Sequence, residues 1–281
     1  MPLNVNPRFS ICICNRNMAD TLEISLSSIF EQIDDRFEVI VIDDGSTDGS
    51  LAILDSLKFK HLNLRYYPLP KNGQRKLGFT RNISIQKAQG DWVILHLDAD
   101  DLIGEGIISF VESVLRIHAT SSEPALYSGH QIHMAPRDWL LSFGPYRNLY
   151  RLEDRDLYQR LIPNHQWRII HHERFIKRLE RTRKKTLLKT TRDAFEHLVS
   201  DTRYSASFRA VIDREIDRKS NGKRLLKLFR IVFLPLAYVA GRRLGMVEMR
   251  NGDFSNQGVR RYRDINTRSV DEWVSYLNSQ T

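Results

Sequence analysis

The chain has 281 residues, of which 41% are hydrophobic and 27% are charged. A chain of this length can bury a full α/β core with a helical extension, and its ordinary composition excludes wholesale disorder. No basic and apolar leader of the secretory kind opens the sequence, so we expect a cytoplasmic protein. Both cysteines, Cys12 and Cys14, fall on one predicted strand, and we interpret them as buried, small apolar residues.

The net charge of +9 is distributed unevenly along the chain. Residues 1–150 carry 14 basic and 18 acidic side chains, whereas residues 151–281 carry 29 basic and 16 acidic ones. A basic surface suggests nucleic acid as a partner, because neutralising phosphates drives such binding. The basic half has no recognisable nucleic-acid-binding motif, however, so we expect no nucleic acid to bind. Its densest run is Arg174–Arg192, which is as typical of a solvated helix face as of a phosphate-binding surface.

Two strand-and-turn units open the chain. The apolar run Phe9–Cys14 predicts a strand that ends in the polar turn Asn15–Asn17. The helix that follows is predicted from apolar residues at helical spacing: Leu22, Leu26, Ile29 and Ile33. A second strand is predicted over Phe37–Ile42, and Asp43–Gly49 forms a turn rich in residues that hydrogen-bond their own backbone. Both turns should lie on one edge of a parallel sheet.

The segment Gly78–Asp101 carries the strongest chemical signal. It predicts a helix closed by Gly90, then the buried strand Trp92–Leu97, and then three carboxylates: Asp98, Asp100 and Asp101. Ligands of open α/β sheets bind beyond the carboxyl ends of the strands. Carboxylate oxygens there suit Mg²⁺ or Mn²⁺ and leave coordination positions for substrate phosphates. Capping of the next helix is the alternative, but one Asp suffices for a cap, and three would repel one another without a cation.

The middle of the chain holds a second acidic cluster. Leu126–Met134 predicts another strand, and Arg137–Tyr150 predicts an aromatic-rich loop. A helix is predicted over Leu152–Leu161, and its first turn holds three acidic residues: Glu153, Asp154 and Asp156. Acidic side chains stabilise the amino end of any helix through its macrodipole, so the residues alone leave a structural and a catalytic role open.

The carboxyl-terminal region has the pattern of an amphipathic helix. Lys223, Lys227 and Arg230 recur at i, i+4 and i+7, and the apolar run Ile231–Gly241 follows. This run is too short to cross a bilayer, which takes roughly 20 apolar residues. It suits a helix that lies in the headgroup plane of an anionic membrane, and docking on the rest of the protein is the alternative. Asp264–Thr281 is predicted to be a loose tail.

Three segments together resemble family-2 glycosyltransferases. Ser10–Asp20, Phe37–Gly49 and Gly78–Asp101 are similar to the nucleotide-sugar-binding half of that family, in order and at sensible spacing. The resemblance implies the GT-A fold, an α/β fold with a Rossmann-like three-layer arrangement: a central mixed sheet with helices on both faces. We expect this catalytic domain over residues 1–150, an acceptor-side helical region over 151–222, and a basic amphipathic helix and tail over 223–281.

The resemblance also implies roles for the candidate residues. Asp44 would contact the nucleotide base or ribose together with the first turn, represented by Cys14, Arg16 and Asn17. Candidates to face the diphosphate are Arg75, Lys76 and Arg81. Asp98 would lie near the ribose and the metal, and Asp100 would bind Mn²⁺ or Mg²⁺ directly. Asp154 would be the general base, with Glu153 and Asp156 as alternative assignments.

The expected function is therefore inverting transfer of a sugar from a UDP- or GDP-sugar donor to an acceptor hydroxyl. The expected acceptor is a glycolipid, a lipid-linked glycan or a cell-surface glycan, reached from the cytoplasmic face of the membrane. A nucleotidyltransferase and a non-catalytic sugar-nucleotide or membrane-surface binding protein are the alternatives. A nicotinamide-dependent dehydrogenase is excluded, because the turn after the first strand lacks the Gly-x-Gly-x-x-Gly pattern.

Overall fold

The computed structural model describes residues 7–121, 123–149, 153–180, 187–203, 208–217, 224–243 and 256–280. The strands are β1 (Phe9–Asn15), β2 (Phe37–Asp43), β3 (Leu64–Pro68), β4 (Trp92–Leu95), β5 (Asp101–Ile103), β6 (Leu126–Ser128), β7 (His133–Pro136), β8 (Trp167–Ile170), β9 (Ile176–Arg178) and β10 (Thr267–Arg268). The first helices are α1 (Leu22–Phe30), α2 (Ser50–Lys60), α3 (Leu77–Lys87), α4 (Ile107–Ala119), α5 (Arg137–Phe143) and α6 (Glu153–Leu161). The later helices are α7 (Leu187–Arg203), α8 (Phe208–Asp217), α9 (Arg224–Arg243), α10 (Asn256–Asn266) and α11 (Val270–Asn278).

A mixed sheet forms the centre of the fold. Within the described ranges it has eight strands in the order β10-β8-β6-β7-β4-β1-β2-β3. β1 runs parallel to both β2 and β4, and β7 is antiparallel to β4 and β6. A separate two-stranded ribbon pairs β5 with β9 in antiparallel fashion. In the eight-stranded sheet, β8 and β10 consist of residues beyond position 150.

Helices cover both faces of the sheet. One apolar cluster packs α1, α2, α4 and α11 against one face, and a second packs α3, α5, α6 and α10 against the other. All seven residues of β2 are buried, as expected for a parallel strand covered on both sides. The structure thus confirms the predicted three-layer α/β fold with carboxyl-terminal helices.

The helices α7, α8 and α9 have an apolar cluster of their own, formed by Leu198, Val199, Val211, Leu234 and Ala237. Arg230 of α9 is buried there, with its Nε 2.6 Å from Oε2 of Glu215 and an Nη 3.3 Å from Asp201. The prediction that Arg230 belongs to an exposed basic face of this helix is therefore wrong. Two buried carboxylates pair with its guanidinium inside the helical unit. Lys223 of that face lies outside the described residues.

Three further expectations about local structure are wrong. The single strand Leu126–Met134 is two antiparallel strands, because the chain reverses between them at Gln131, whose φ is 64°. The predicted aromatic loop after Pro136 begins with α5. The predicted loose tail forms β10 and α11, and Trp273 is buried there, donating from Nε1 to the carbonyl of Ile169 at 2.8 Å.

None of the helices in the described ranges combines the length and the hydropathy needed to cross a bilayer.

Candidate active site

A cleft of about 510 Å³ opens where β1, β2 and β4 end. Ten of the twelve candidate residues line it: Cys14, Arg16, Asp44, Arg75, Lys76, Arg81, Asp98, Asp100, Glu153 and Asp154. Parallel strands place their carboxyl ends on one edge of a sheet, which is why residues from turns far apart in sequence meet here.

Asp44 forms one end of the cleft together with two arginines. Its Oδ1 is 2.5 Å from Nε of Arg75, and its Oδ2 is 3.3 Å from an Nη of Arg16. Gly45 follows with a φ of +70°, and a Cβ added there would lie 2.8 Å from the Cα of Lys71. The turn is therefore restricted to glycine by both its backbone conformation and its close approach to the neighbouring loop.

The turn after β1 is fixed by hydrogen bonds to the turn after β2. Asn17 has a φ of 53°, and its Oδ1 accepts from the backbone N–H of Thr47 at 2.7 Å. Asn17 thus ties the two turns together and does not line the cleft. Cys14 does line it, and burial raises the pKa of its thiol to about 12. The thiol is therefore protonated at neutral pH and is a poor metal ligand.

Arg81 of α3 lies between two carboxylates. An Nη is 3.6 Å from Oδ1 of Asp98, its Nε is 3.4 Å from Oε1 of Glu153, and its guanidinium carbon lies 5.7 Å from the ring centroid of Tyr146. Its side chain is only 10% exposed, and Nε makes no hydrogen bond although Oε1 of Glu153 is near it. A buried guanidinium needs such anionic partners because its desolvation is unfavourable.

The three carboxylates after β4 surround a residue that the sequence interpretation missed. An Nη of Arg178 lies 3.2 Å from Oδ2 of Asp98, its Nε lies 3.2 Å from Oδ1 of Asp101, and it also contacts Asp100. Pairing of β5 with β9 brings it there, since Arg178 is directly opposite Asp101 in that ribbon. The basic run Arg174–Arg192 suggested a helix face, but at Arg178 it forms a strand.

The donor atoms of this cluster suit a divalent cation that also binds phosphate. Asp98 and Asp100 both present carboxylate oxygens to the cleft. In the described part of the chain, no group of three or more His, Cys, Asp and Glu side chains is arranged to hold a metal ion unaided. Mg²⁺ is usually bound through one or two carboxylates plus substrate phosphates, and Mn²⁺ shares its preference for oxygen ligands, so the two aspartates fit such an ion.

The first turn of α6 separates the three candidate bases. Asp154 lines the cleft, and its Oδ1 accepts from the backbone N–H of Arg155 at 2.8 Å. Glu153 also lines it but is buried, and this burial raises the pKa of its carboxyl to about 7. Asp156 is buried away from the cleft, held at 3.1 Å by both Arg147 and Arg160.

A close backbone contact positions α6 at the cleft. The backbone N–H of Gly78 in α3 donates to the carbonyl of Leu149 at 3.2 Å. A Cβ added at Gly78 would lie 2.0 Å from the carbonyl oxygen of Arg147 and 3.3 Å from the Cβ of Glu153. Only glycine allows the segment that precedes α6 to approach α3 this closely.

Sequence interpretation also missed part of the far wall of the cleft. Arg155 and His197 line the cleft beside Arg178. Nδ1 of His197 is 3.0 Å from Oδ2 of Asp201, one turn further along α7. Nothing in the spacing of α7 linked it to the strand ends, because a tertiary contact alone brings it there.

Comparison with known proteins identifies the amino-terminal region. The model of the family described as glycosyl transferase family 2 matches residues 10–120. A cholesterol galactosyltransferase from Borreliella burgdorferi is 33% identical over 96 residues, which are 34% of this chain and 26% of that protein. The chain spans between 25% and 38% of the length of the first curated relatives it matches.

Solved structures resemble the chain over a longer range. Staphylococcus aureus TarS 1-349 in complex with UDP-GlcNAc has a TM-score of 0.54 at 14% identity, covering 88% of this chain and 95% of that one. Mannosyltransferase PcManGT from Pyrobaculum calidifontis, in complex with GDP-Man and Mn²⁺, has a TM-score of 0.53 at 16% identity, covering 98% and 85%. At these identities the likeness concerns the fold, which is of the GT-A type. Residues 10–120 therefore match glycosyl transferase family 2, and the chain has the GT-A fold of these solved structures.

Proposed function

We propose that the protein transfers a sugar from a nucleoside-diphosphate sugar to an acceptor hydroxyl, with inversion at the anomeric carbon. The observation that carries this proposal is the meeting of Asp44, Arg81, Asp98, Asp100 and Asp154 in one cleft. That set provides a nucleotide contact, a cation for phosphate, a metal-binding pair and a base. A protein that only binds sugar nucleotides would not need a general base.

The donor is a UDP- or GDP-sugar that binds along the strand ends. Asp44, with Arg16 and Arg75 beside it, would contact the base or ribose. Lys76 and Arg81 would face the diphosphate, and Asp100, assisted by Asp98, would hold Mn²⁺ or Mg²⁺. Complexes of similar structures with UDP-GlcNAc, and with GDP-Man and Mn²⁺, support this class of donor and metal.

The chemistry requires a stabilised leaving group and an activated acceptor. The metal ion, when bound, supplies Lewis-acid stabilisation of the departing diphosphate. Arg81 adds a fixed positive charge on the same side of the cleft, and its burial strengthens that charge relative to one in water. Asp154 accepts the proton of the acceptor hydroxyl as that oxygen attacks the anomeric carbon from the opposite face.

The acceptor is proposed to be membrane-borne, as a glycolipid, a lipid-linked glycan or a cell-surface glycan. A stripe of exposed apolar side chains runs along α9 at helical spacing: Leu225, Leu228, Val232, Leu236 and Val239. Arg242 and Arg243 end this helix, so an apolar stripe adjoins a pair of cations. That combination favours a peripheral position on the cytoplasmic face of an anionic membrane. The name of the relative that acts on cholesterol agrees with a lipid acceptor.

Titration calorimetry with UDP and with GDP, each with and without Mn²⁺, tests the donor site. We expect one nucleotide to bind wild type tightly only with Mn²⁺, and Asp100→Ala to lose that binding. No nucleotide binding to the folded wild type would refute the donor site and leave the membrane-surface role of α9. Release of pyrophosphate from a sugar 1-phosphate and a nucleoside triphosphate would instead indicate a nucleotidyltransferase.

A further inference from the structure

Arg178 lies among the three carboxylates that follow β4 at the cleft. The carboxylates of Asp98, Asp100 and Asp101 all contact its guanidinium, and no other residue pairs with all three in the described part of the chain. The exposed fractions of the three carboxylate side chains are 35%, 13% and 1%, so at least two of them rely on a protein cation more than on water. The guanidinium thus balances the very oxygens assigned to the metal ion.

The backbone of Arg178 is held firmly, whereas its side chain has room to move. β9 pairs with β5 through Arg178 and Asp101, and the next N–H, that of Leu179, donates to the carbonyl of Asp100 at 2.8 Å. The side chain itself is 48% exposed. A fixed strand with a half-exposed side chain allows the guanidinium to leave the carboxylates without unfolding the ribbon.

We propose that Arg178 and the divalent cation occupy the carboxylates of Asp98 and Asp100 in turn, so that metal binding requires the guanidinium to leave. This inference rests on the proposed function, because it concerns the metal that the sugar donor needs. Mg²⁺ binds oxygens at about 2.0–2.1 Å, and a guanidinium in contact with the same oxygens leaves no room for it. Repulsion between a single and a double positive charge at that distance also disfavours joint occupancy.

The exchange gives the donor a role in loading the metal. Arg178 suppresses binding of the free cation, since the cation must first break the contacts with the guanidinium. A donor brings two phosphates with it, and a guanidinium binds phosphate oxygens well through its planar set of N–H groups. The displaced Arg178 then has a diphosphate partner within the cleft, so metal and nucleotide bind better together than either does alone.

The test measures Mn²⁺ binding without any nucleotide, by the paramagnetic resonance signal of the free ion. We expect Arg178→Ala to bind Mn²⁺ about tenfold or more tightly than wild type, because contacts with charged groups are the strongest hydrogen bonds in proteins. Lys177→Ala is the matched control. It removes the same charge from the neighbouring position of β9, where the side chain is exposed and faces Leu102 in the register. This control should leave Mn²⁺ affinity within about twofold of wild type.

A second measurement compares the unfolding temperatures of wild type and Arg178→Ala with and without Mn²⁺, because the variant is expected to be less stable. Without metal, Arg178→Ala should unfold at a lower temperature than wild type, because three carboxylates lose their cation. Mn²⁺ should raise its unfolding temperature more than it raises that of wild type. Equal or weaker Mn²⁺ binding by Arg178→Ala, or no Mn²⁺ binding by either protein, would overturn the exchange. Failure of the proposed function would show separately, as absence of UDP and GDP binding in both proteins at saturating Mn²⁺.

Discussion

The Nε atom of Arg81 lies 3.4 Å from Oε1 of Glu153, and this buried pair joins α3 to α6 across the cleft. α3 leads into β4, whose end holds the proposed metal-binding aspartates, and α6 carries the proposed base. The pair therefore links the proposed donor side to the proposed acceptor side. Burial works against the charge of Glu153 and Arg81 favours it, and burial is the larger effect.

Glu153 should make stability depend on pH. The pKa of its carboxyl rises to about 7 in the folded protein, so between its ordinary value and 7 the folded state binds a proton that the unfolded state releases. The contribution of this group is thus fully present at low pH and is lost as pH rises through 7. Urea unfolding of wild type and Glu153→Gln between pH 5 and pH 8 measures it.

We expect the free energy of unfolding of wild type to fall more steeply over that range than that of Glu153→Gln. The exposed Glu105→Gln controls for the loss of one acidic group. Parallel curves for wild type and Glu153→Gln would show that Glu153 does not titrate in this window.

Asp154→Asn should separate catalysis from binding. An amide accepts no proton from the acceptor, so the turnover rate should drop by about 10²–10⁴-fold while the affinity for UDP or GDP stays unchanged. Asp156→Asn is the comparison, because its carboxylate holds Arg147 and Arg160 away from the cleft and its loss should lower stability instead. Unchanged turnover in Asp154→Asn would point to an acceptor that is already ionised, such as a lipid phosphate.

The apolar stripe of α9 should govern attachment to lipid. Val232→Asp and Leu236→Asp place a charge at positions that are 62% and 58% exposed, so neither substitution buries a charge in the folded protein. Each should reduce co-sedimentation with vesicles of phosphatidylglycerol and phosphatidylcholine by about tenfold or more, since one buried apolar side chain contributes about 1.5–3 kcal/mol. Phe59→Asp, on α2 and 89% exposed, should bind vesicles as wild type does. Equal loss in all three variants would contradict a membrane role specific to α9.

Gly78→Ala should destabilise the protein by about 1–3 kcal/mol, because the added methyl group forces the carbonyl of Arg147 to move. Gly73→Ala is the matched control, since a Cβ there meets no atom within 4 Å. Chemical denaturation of the two variants gives the comparison. If both variants were equally stable, the segment before α6 would have to adjust at no cost, and the close contact would not fix the position of Asp154.

Local pattern was enough for the first half of the fold. Phe37–Ile42 is apolar on every residue but Glu38, a pattern typical of a strand covered on both faces, and the turn after it contains residues that favour turns. The predicted strand Trp92–Leu97 ends two residues early, at Leu95, because His96 has a left-handed φ of 69° that no residue pattern announced.

The second half was harder because its decisive contacts join distant segments. In the sequence, Arg178 is one of many basic residues, and only the pairing of β9 with β5 places it beside the aspartates. In the same way, the sequence pattern predicts a surface position for Arg230, whereas in the fold it forms buried ion pairs with Glu215 and Asp201. Three neighbouring aspartates do need a cation, and the sequence pattern indicated a metal ion alone. A side chain 77 residues away supplies positive charge at the same place.

The position of α11 sets an order on the assembly of the protein. Trp273 and Leu277 pack into the same apolar cluster as β1 and α1, and β10 completes one edge of the sheet beside β8. A nascent chain emerges from its amino end, so this layer stays open until residues 267–277 have left the ribosome. Until then, apolar side chains from the earliest strands lack part of their cover, and binding by a chaperone would be most useful during that interval.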